Sequence, residues 1–213
     1  MLGSRHQAGV CVPCLLDWCW RDTEECIETA ATKGGALDAI TFHYYPLKQG
    51  LAYNGSQLLM EPSLLDKVQR RIAPYAALRQ QAVAAGKRKH VGLWLGEGAS
   101  AGHGGILNVS NAFESGFWYL DELSQLARLG TDVMCRQQIS ATGYGLMDKT
   151  LKVTHPDFFT AVLHKRLVGE AVLNTTANGL VRVYAHCARN ISSMVTPGVA
   201  LVFLNMRPTA TTL

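Results

Sequence analysis

The stretch LWLGEGAS, residues 93–100, runs from apolar residues onto a single carboxylate, Glu97, set between Gly96 and Gly98. A strand end flanked by glycine can hold a side chain rigidly and still leave room for a ligand. Two other apolar runs end on groups that can bind or activate one. ALDAITFHYYPL, 36–47, ends in His43, Tyr44 and Tyr45, and TDVMCRQQI, 131–139, ends near Arg136, Gln137 and Gln138. A carboxylate for bond chemistry, hydrogen-bonding groups for hydroxyls and aromatic rings for apolar ring faces make the lining of a sugar site.

The elements that would position these groups follow from the pattern. ALDAITFHYYPL reads as a strand closed by Pro46. PSLLDKVQRRIAPYAALRQQAVAAGK, 62–87, reads as a helix capped by Ser63, stopped at Gly86, and kinked or divided at Pro74. HVGLWLGEG, 90–98, reads as a strand buried on both faces, as in a parallel sheet. The glycine-rich loop SAGHGG follows it. SNAFESGFWYLDELSQLARLG, 110–130, reads as a helix capped by Ser110, with Phe113, Phe117, Leu120 and Leu123 on one face. TDVMCRQQI is the third strand and HPDFFTAVLHKRLVG, 155–169, the third helix. AVLNTTANGLVRVYAHCA and VALVFLNM then read as short strands joined by turns.

Three successive strand–helix units imply a parallel sheet with right-handed crossovers. Three units do not close an eight-stranded (β/α) barrel, which takes about 250 residues. The alternatives are a small open sheet, or part of a larger barrel whose first strands are absent. In such barrels the site lies at the C-terminal strand ends, where His43, Glu97 and Gln137 would converge.

Composition narrows the class. A hydrophobic content of 48% with 17% charged residues fits a globular chain. The net charge of +4 is mild, and no basic stripe with interleaved aromatics points to nucleic acid. Cys11 and Cys14 have the gap of a zinc or redox pair, but no second such pair follows, so no metal is expected. Cys135 and Cys187 fall in or near strands and read as small buried residues. No apolar run is long enough to span a bilayer. The first 33 residues carry no clean signal-peptide pattern and stand as an unassigned segment. Sequons at Asn54, Asn108, Asn174 and Asn190 would permit glycosylation.

The motifs LDAITFHYYPL, LWLGEGASAGHGG, SNAFESGFWYLDELSQLARLGTDVMCRQQI, GYGLMD, HPDFFTAVLHKRLVG and RVYAHCAR together resemble glycoside hydrolase family 79, the heparanases and heparanase-like β-glucuronidases, nearest the plant-type members. The resemblance runs over about residues 36–205 and is not found in residues 1–30. It implies an α/β fold: the last three βα units (strands six to eight) of a (β/α)8 TIM barrel over 34–168, then part of a C-terminal β-sandwich over 169–213.

The resemblance also implies roles. Glu97 matches the nucleophile of a retaining glycosidase. His43 and Tyr45 match a His-x-Tyr strand end whose tyrosine holds that nucleophile. Gly104 and Gly105 match a loop whose N–H groups bind the substrate's uronate carboxylate. Gln137 and Tyr144 match substrate-contacting positions. The implied substrate is a glucuronic-acid-containing glycan, cleaved without cofactor or metal. The implied location is extracellular or lysosomal/vacuolar, with peripheral membrane association. The family's acid/base glutamate lies in an Asn-Glu pair on the fourth strand, and this sequence contains no Asn-Glu. The chain therefore reads either as one part of an active glycosidase or as a truncated, inactive or merely carbohydrate-binding product. In the second case the edge of the 36–45 strand would be left unpaired. His103 reads as a solvated loop histidine, and Trp118, Tyr119 and Leu120 as helix packing.

Overall fold

A computed structural model describes residues 9–11, 37–47, 56–85, 90–141, 143–176, 180–189 and 198–208. The stretch TEECIETAATKGG, 23–35, whose pattern reads as a short helix with a Gly-Gly stop, lies outside them, as do Cys14, Gly86 and the sequons at Asn54 and Asn190. The chain divides into two units. The first takes in Met1–Tyr44, Gln69–Gly98 and Leu129–Arg136; the second takes in Tyr45–Val68, Ala99–Arg128 and Gln137–Leu213.

The first unit is a parallel sheet in the order β1 (Gly9–Cys11), β2 (Leu37–Tyr44), β3 (Gly92–Gly98), β4 (Val133–Arg136). β2 therefore has a parallel neighbour on each side, and its edge is not open as the sequence suggested. β4 is shorter than the strand read from the sequence, ending at Arg136.

Apolar side chains explain why the strands hold. Ala39, Ile40, Phe42, Leu93 and Leu95 are 0% exposed. Phe42 stacks on Tyr75 of the helix Lys67–Ala85 (α2, after the short α1, Pro62–Leu65) with ring centroids 4.9 Å apart. Burying each of the larger of these side chains, Ile40, Phe42, Leu93 and Leu95, contributes about 1.5–3 kcal/mol. Asp132 fixes the start of β4: its Oδ2 accepts from Leu93 N at 2.8 Å, and its own N–H donates to Leu93 O at 2.8 Å. Arg79 reaches the same corner, donating to Gly130 O at 2.6 Å and lying 3.8 Å from Asp132.

Pro74 lies inside α2, which runs on through it; the break falls at Asp66 instead. The α1 start is also not capped by Ser63. Glu61 is the capping position and Pro62 the first helical residue, where a missing N–H loses no intrahelical bond.

In the second unit α3 (Phe113–Arg128) and α4 (Pro156–Leu167) precede an antiparallel sheet of β5 (Val168–Leu173), β6 (Val181–Ala188) and β7 (Val199–Asn205). α3 buries Trp118 and Tyr119, as expected for packing residues, while Phe113 is 71% exposed. Ser110 does not cap α3; its hydroxyl accepts from Ile106 N at 3.0 Å and so ties the preceding loop. Phe117 and Leu120 pack on Tyr184, Val202 and Leu204 of the sheet. Asp121, 0% exposed, accepts from Tyr184 Oη at 2.6 Å and from Gln125, and Arg182 lies 3.6 Å away while donating to Asp66 at 2.7 Å. Cys135 and Cys187 are exposed free thiols rather than small buried residues, because each takes an outward position in its strand.

Candidate functional site

In a parallel sheet, ligands gather at the carboxyl ends of the strands. β2 and β3 bring His43 and Glu97 there as register partners, with His43 Nδ1 3.9 Å from Glu97 Oε2. Their side chains are 20% and 32% exposed, open enough for a ligand and packed enough to be held. The contact is an ion pair whenever His43 is protonated. Asp38, the second residue of β2, and Asp132, just before β4, sit at the opposite ends of their strands. Among the described residues of this unit, Glu97 is the one carboxylate at the C-terminal end.

Four other expected residues come together in the second unit. Tyr45 packs on a cluster of Ala99, Ala141 and Tyr144. Tyr144 N donates to Gly104 O at 3.3 Å, linking the 137–155 loop to the glycine loop. His103, Gly104 and Gly105 have successive positive φ of 53°, 98° and 85°, which favours glycine at the last two. A Cβ on Gly105 would lie 2.6 Å from Tyr144 N, and one on Gly143 would lie 2.1 Å from Gly104 O. The two loops therefore approach backbone to backbone. His155 Nδ1 donates to Gly145 O at 2.7 Å and holds the far side of the tyrosine loop.

Gln137 directly follows β4 and is half-buried. Among the described residues no hydrogen bond ties it to Tyr45, Tyr144 or the glycines. His103 is exposed. Arg136, named with Gln137 at the end of the third strand, lies opposite Gly98 in the β3–β4 register. No group of three or more metal-ligating side chains occurs among the described residues, and no helix among them is long and apolar enough to cross a membrane. A separate groove of about 540 Å³ between α3 and α4, lined by Phe117, Leu120, Pro156, Phe159 and Leu163, holds no titratable group.

The chain's likenesses agree with this geometry. The family model for glycosyl hydrolase family 79, N-terminal domain, matches residues 18–124, half of the chain. The match begins earlier than the motifs suggested, reaching into residues 18–30 where no resemblance was read. Heparanase-like protein 1 of Arabidopsis thaliana is 34% identical over 172 residues, 80% of this chain and 30% of that protein. Baicalin-beta-D-glucuronidase of Scutellaria baicalensis is 34% identical over 171 residues, 79% of this chain and 31% of that protein. The chain thus spans about a third of the length of these relatives. A solved 4-O-alpha-L-rhamnosyl-beta-D-glucuronidase from Fusarium oxysporum 12S shares the fold, with a TM-score of 0.56 at 20% identity, covering 84% of this chain and 36% of that one. The match over 18–124 and the 34% identity to these relatives over about four-fifths of the chain lead to one assignment: this chain belongs to glycosyl hydrolase family 79.

Proposed function

We propose that the chain carries the nucleophile half of a retaining β-glucuronidase site. Its frame would be strands six to eight of a (β/α)8 barrel, residues 34–168, followed by part of a β-sandwich, 169–213. The observation that carries the reading is the placement of Glu97 at the carboxyl end of a parallel sheet, 3.9 Å from His43. A Glu97 oxygen would attack the anomeric carbon of a glucuronide as the bond to the leaving oxygen breaks, giving a covalent glycosyl-enzyme. A second carboxyl group would protonate the leaving oxygen and then activate water. That group would come from outside these 213 residues, since no Asn-Glu pair occurs in them. By the family resemblance, the Gly104–Gly105 backbone, Tyr144 and Gln137 would receive the uronate and hydroxyls of the substrate. One relative is named for cleaving a β-D-glucuronide, which favours a glucuronic-acid-containing glycan as substrate. The implied setting is extracellular or lysosomal/vacuolar, with peripheral membrane association.

A second reading has its own support. Glu97 is the one carboxylate at its end of the sheet among the described residues of the first unit, so the chain alone would bind a glucuronide without turning it over. A 2-deoxy-2-fluoro-β-glucuronyl fluoride separates the two questions, because fluoride departs without protonation. One adduct on Glu97, absent from Glu97→Gln, supports the nucleophile. An unlabelled Glu97, or a label elsewhere, overturns it. Turnover of an aryl β-glucuronide by the wild-type chain, lost in Glu97→Gln, would place the second carboxyl group inside this chain.

A further inference from the structure

The register of β3 departs from simple alternation at one residue. Ile40 pairs with Leu93, Thr41 with Trp94 and Phe42 with Leu95, one residue for one. The next pair is His43 with Glu97, so β3 spends two residues where β2 spends one. The extra residue is Gly96. The same excess shows against β4, where Leu95 pairs with Met134 and Gly98 with Arg136.

The consequence is a change of face. Register partners in a parallel pair point to the same side. Leu93 and Leu95 share the side of Ile40 and Phe42, which α2 covers through Tyr75. Strict alternation would put Glu97 on that side with them. Instead Glu97 lies on the side of Thr41 and His43, while a Cβ on Gly98 would meet Leu95 Cδ2 at 2.8 Å, on the covered side. A bulge of this kind inserts one residue and re-aims the next side chain.

The bulge also has a steric requirement. A Cβ on Gly96 would lie 2.6 Å from Thr41 Oγ1, 3.4 Å from Thr41 Cβ and 3.8 Å from His43 Cδ2. Thr41 is 7% exposed and has little room to retreat. The φ of Gly96 is not in the left-handed region, so this is a question of space rather than of backbone preference.

We propose that Gly96 is a positioning residue: an inserted bulge, kept free of a side chain by Thr41, that turns Glu97 from the helix-covered face of the sheet onto the face of His43. Thr41 is the other half of the device. The importance for catalysis rests on the reading of Glu97 as nucleophile; the positioning itself does not.

The test follows the His43 ring by NMR at fixed pH, comparing each background with the same background carrying Glu97→Gln. In the wild-type chain Glu97→Gln moves the His43 ring resonances. In Gly96→Ala that response is lost. In Gly96→Ala/Thr41→Ala, which removes the atom at 2.6 Å, it returns. In Gly96→Ala/Thr41→Val, which keeps a methyl group there, it stays lost. Labelling of Glu97 by the fluorosugar falls on the order of a hundredfold in Gly96→Ala and recovers in the Thr41→Ala background. A full His43 response in Gly96→Ala overturns the proposal. So does its absence from a folded Gly96→Ala/Thr41→Ala chain, a comparison that holds even if Gly96→Ala alone does not fold. Wild type that resists the fluorosugar while the NMR pattern holds refutes the nucleophile and leaves the bulge standing.

Discussion

Replacing Tyr184 by phenylalanine removes one hydroxyl and keeps the ring. That hydroxyl donates to Asp121 Oδ1 at 2.6 Å, and Asp121 is 0% exposed. The phenylalanine ring retains the packing on Val202 and Leu204 and lies under the Arg128 guanidinium, 6.0 Å from its centroid. A hydrogen bond to a charged group is worth about 1.5–3 kcal/mol, more than a neutral one. Two features set where in that range the loss falls. Arg182, 3.6 Å from the same oxygen, is too long and too engaged with Asp66 to replace the donor. Burial, however, already raises the Asp121 carboxyl above its ordinary value of 3.8, against the opposing pull of Arg182, Tyr184 and Gln125. Taking up a proton therefore offers partial relief and caps the loss at about 2 kcal/mol, which is roughly 4–8 °C in Tm for a chain of this size.

The sign with pH follows from the same shift. The folded carboxyl has the higher pKa, so its ionised form costs stability above pH 3.8, and acidification returns that stability. The Tyr184→Phe deficit should shrink as pH falls toward that value. The assay is thermal and urea unfolding followed by tryptophan fluorescence in a background that keeps Trp118 alone, 1% exposed on the same helix as Asp121. A variant melting within about 1 °C of wild type at neutral pH would show that this hydrogen bond does not hold α3 to β6.

Other outcomes are specific as well. Burial first, and the facing His186 second, lower His164 from 6.5 to about 4, so its neutral form is favoured in the fold and stability should decline as pH falls from 6.5 toward 4. His164→Phe should flatten that decline, read as the urea midpoint across that window. Asp148 is held down at about 2, first by the Thr150 hydroxyl and then by backbone N–H groups, so its contribution is full above 3.8 and is lost as pH drops through 2. Asp148→Asn should speed hydrogen exchange at the amides of Lys152 and Val153, which donate to Oδ1. Gly143→Ala must displace the carbonyl of Gly104, 2.1 Å from the new Cβ, at a cost of about 1–3 kcal/mol and with new proteolytic cutting in the 100–105 loop. Leu95→Ala, at a site 0% exposed, should cost about 2–5 kcal/mol in denaturant unfolding.

How much of this was legible in the sequence depended on range. β2, β3, α3, α4 and the last three strands were readable because each announces itself by local periodicity, and periodicity is what burial of one face imposes. The helix starts were not. Ser63 and Ser110 have the right chemistry for caps, but Pro62 supplies the first helical residue of α1 and Ser110 is engaged by Ile106 N. Pro74 looked like a break and is accommodated within α2. The partner of β2 could not be read, because β1 is three residues long and its pairing is decided in three dimensions. Tyr45 and Tyr144 could be named but not seen to meet; nearly a hundred residues of chain separate two rings that pack on the same two alanines.

The first unit shows why a residue type alone does not announce a site. It presents three carboxylates among its described residues. Asp132 is committed to structure: its Oδ2 accepts from Leu93 N, and Arg79 and His90 lie within 3.8 Å and 3.5 Å of its oxygens. Those contacts join the start of β4 to β3 and keep the two strands in register. Asp38 lies at the same end of the sheet, on β2. Glu97 differs from both in strand end and in face, and only the first difference is visible as a motif. The second requires one residue too many between Leu95 and Glu97. Paired one residue for one, the same sequence would set Gly96 opposite His43 and Glu97 opposite Tyr44. Alternation would then aim that carboxylate at the side of Leu93 and Leu95, where an ionised group lacks water and a ligand cannot reach it. The bulge at Gly96, rather than the composition of LWLGEG, is what separates a usable carboxylate from a buried defect.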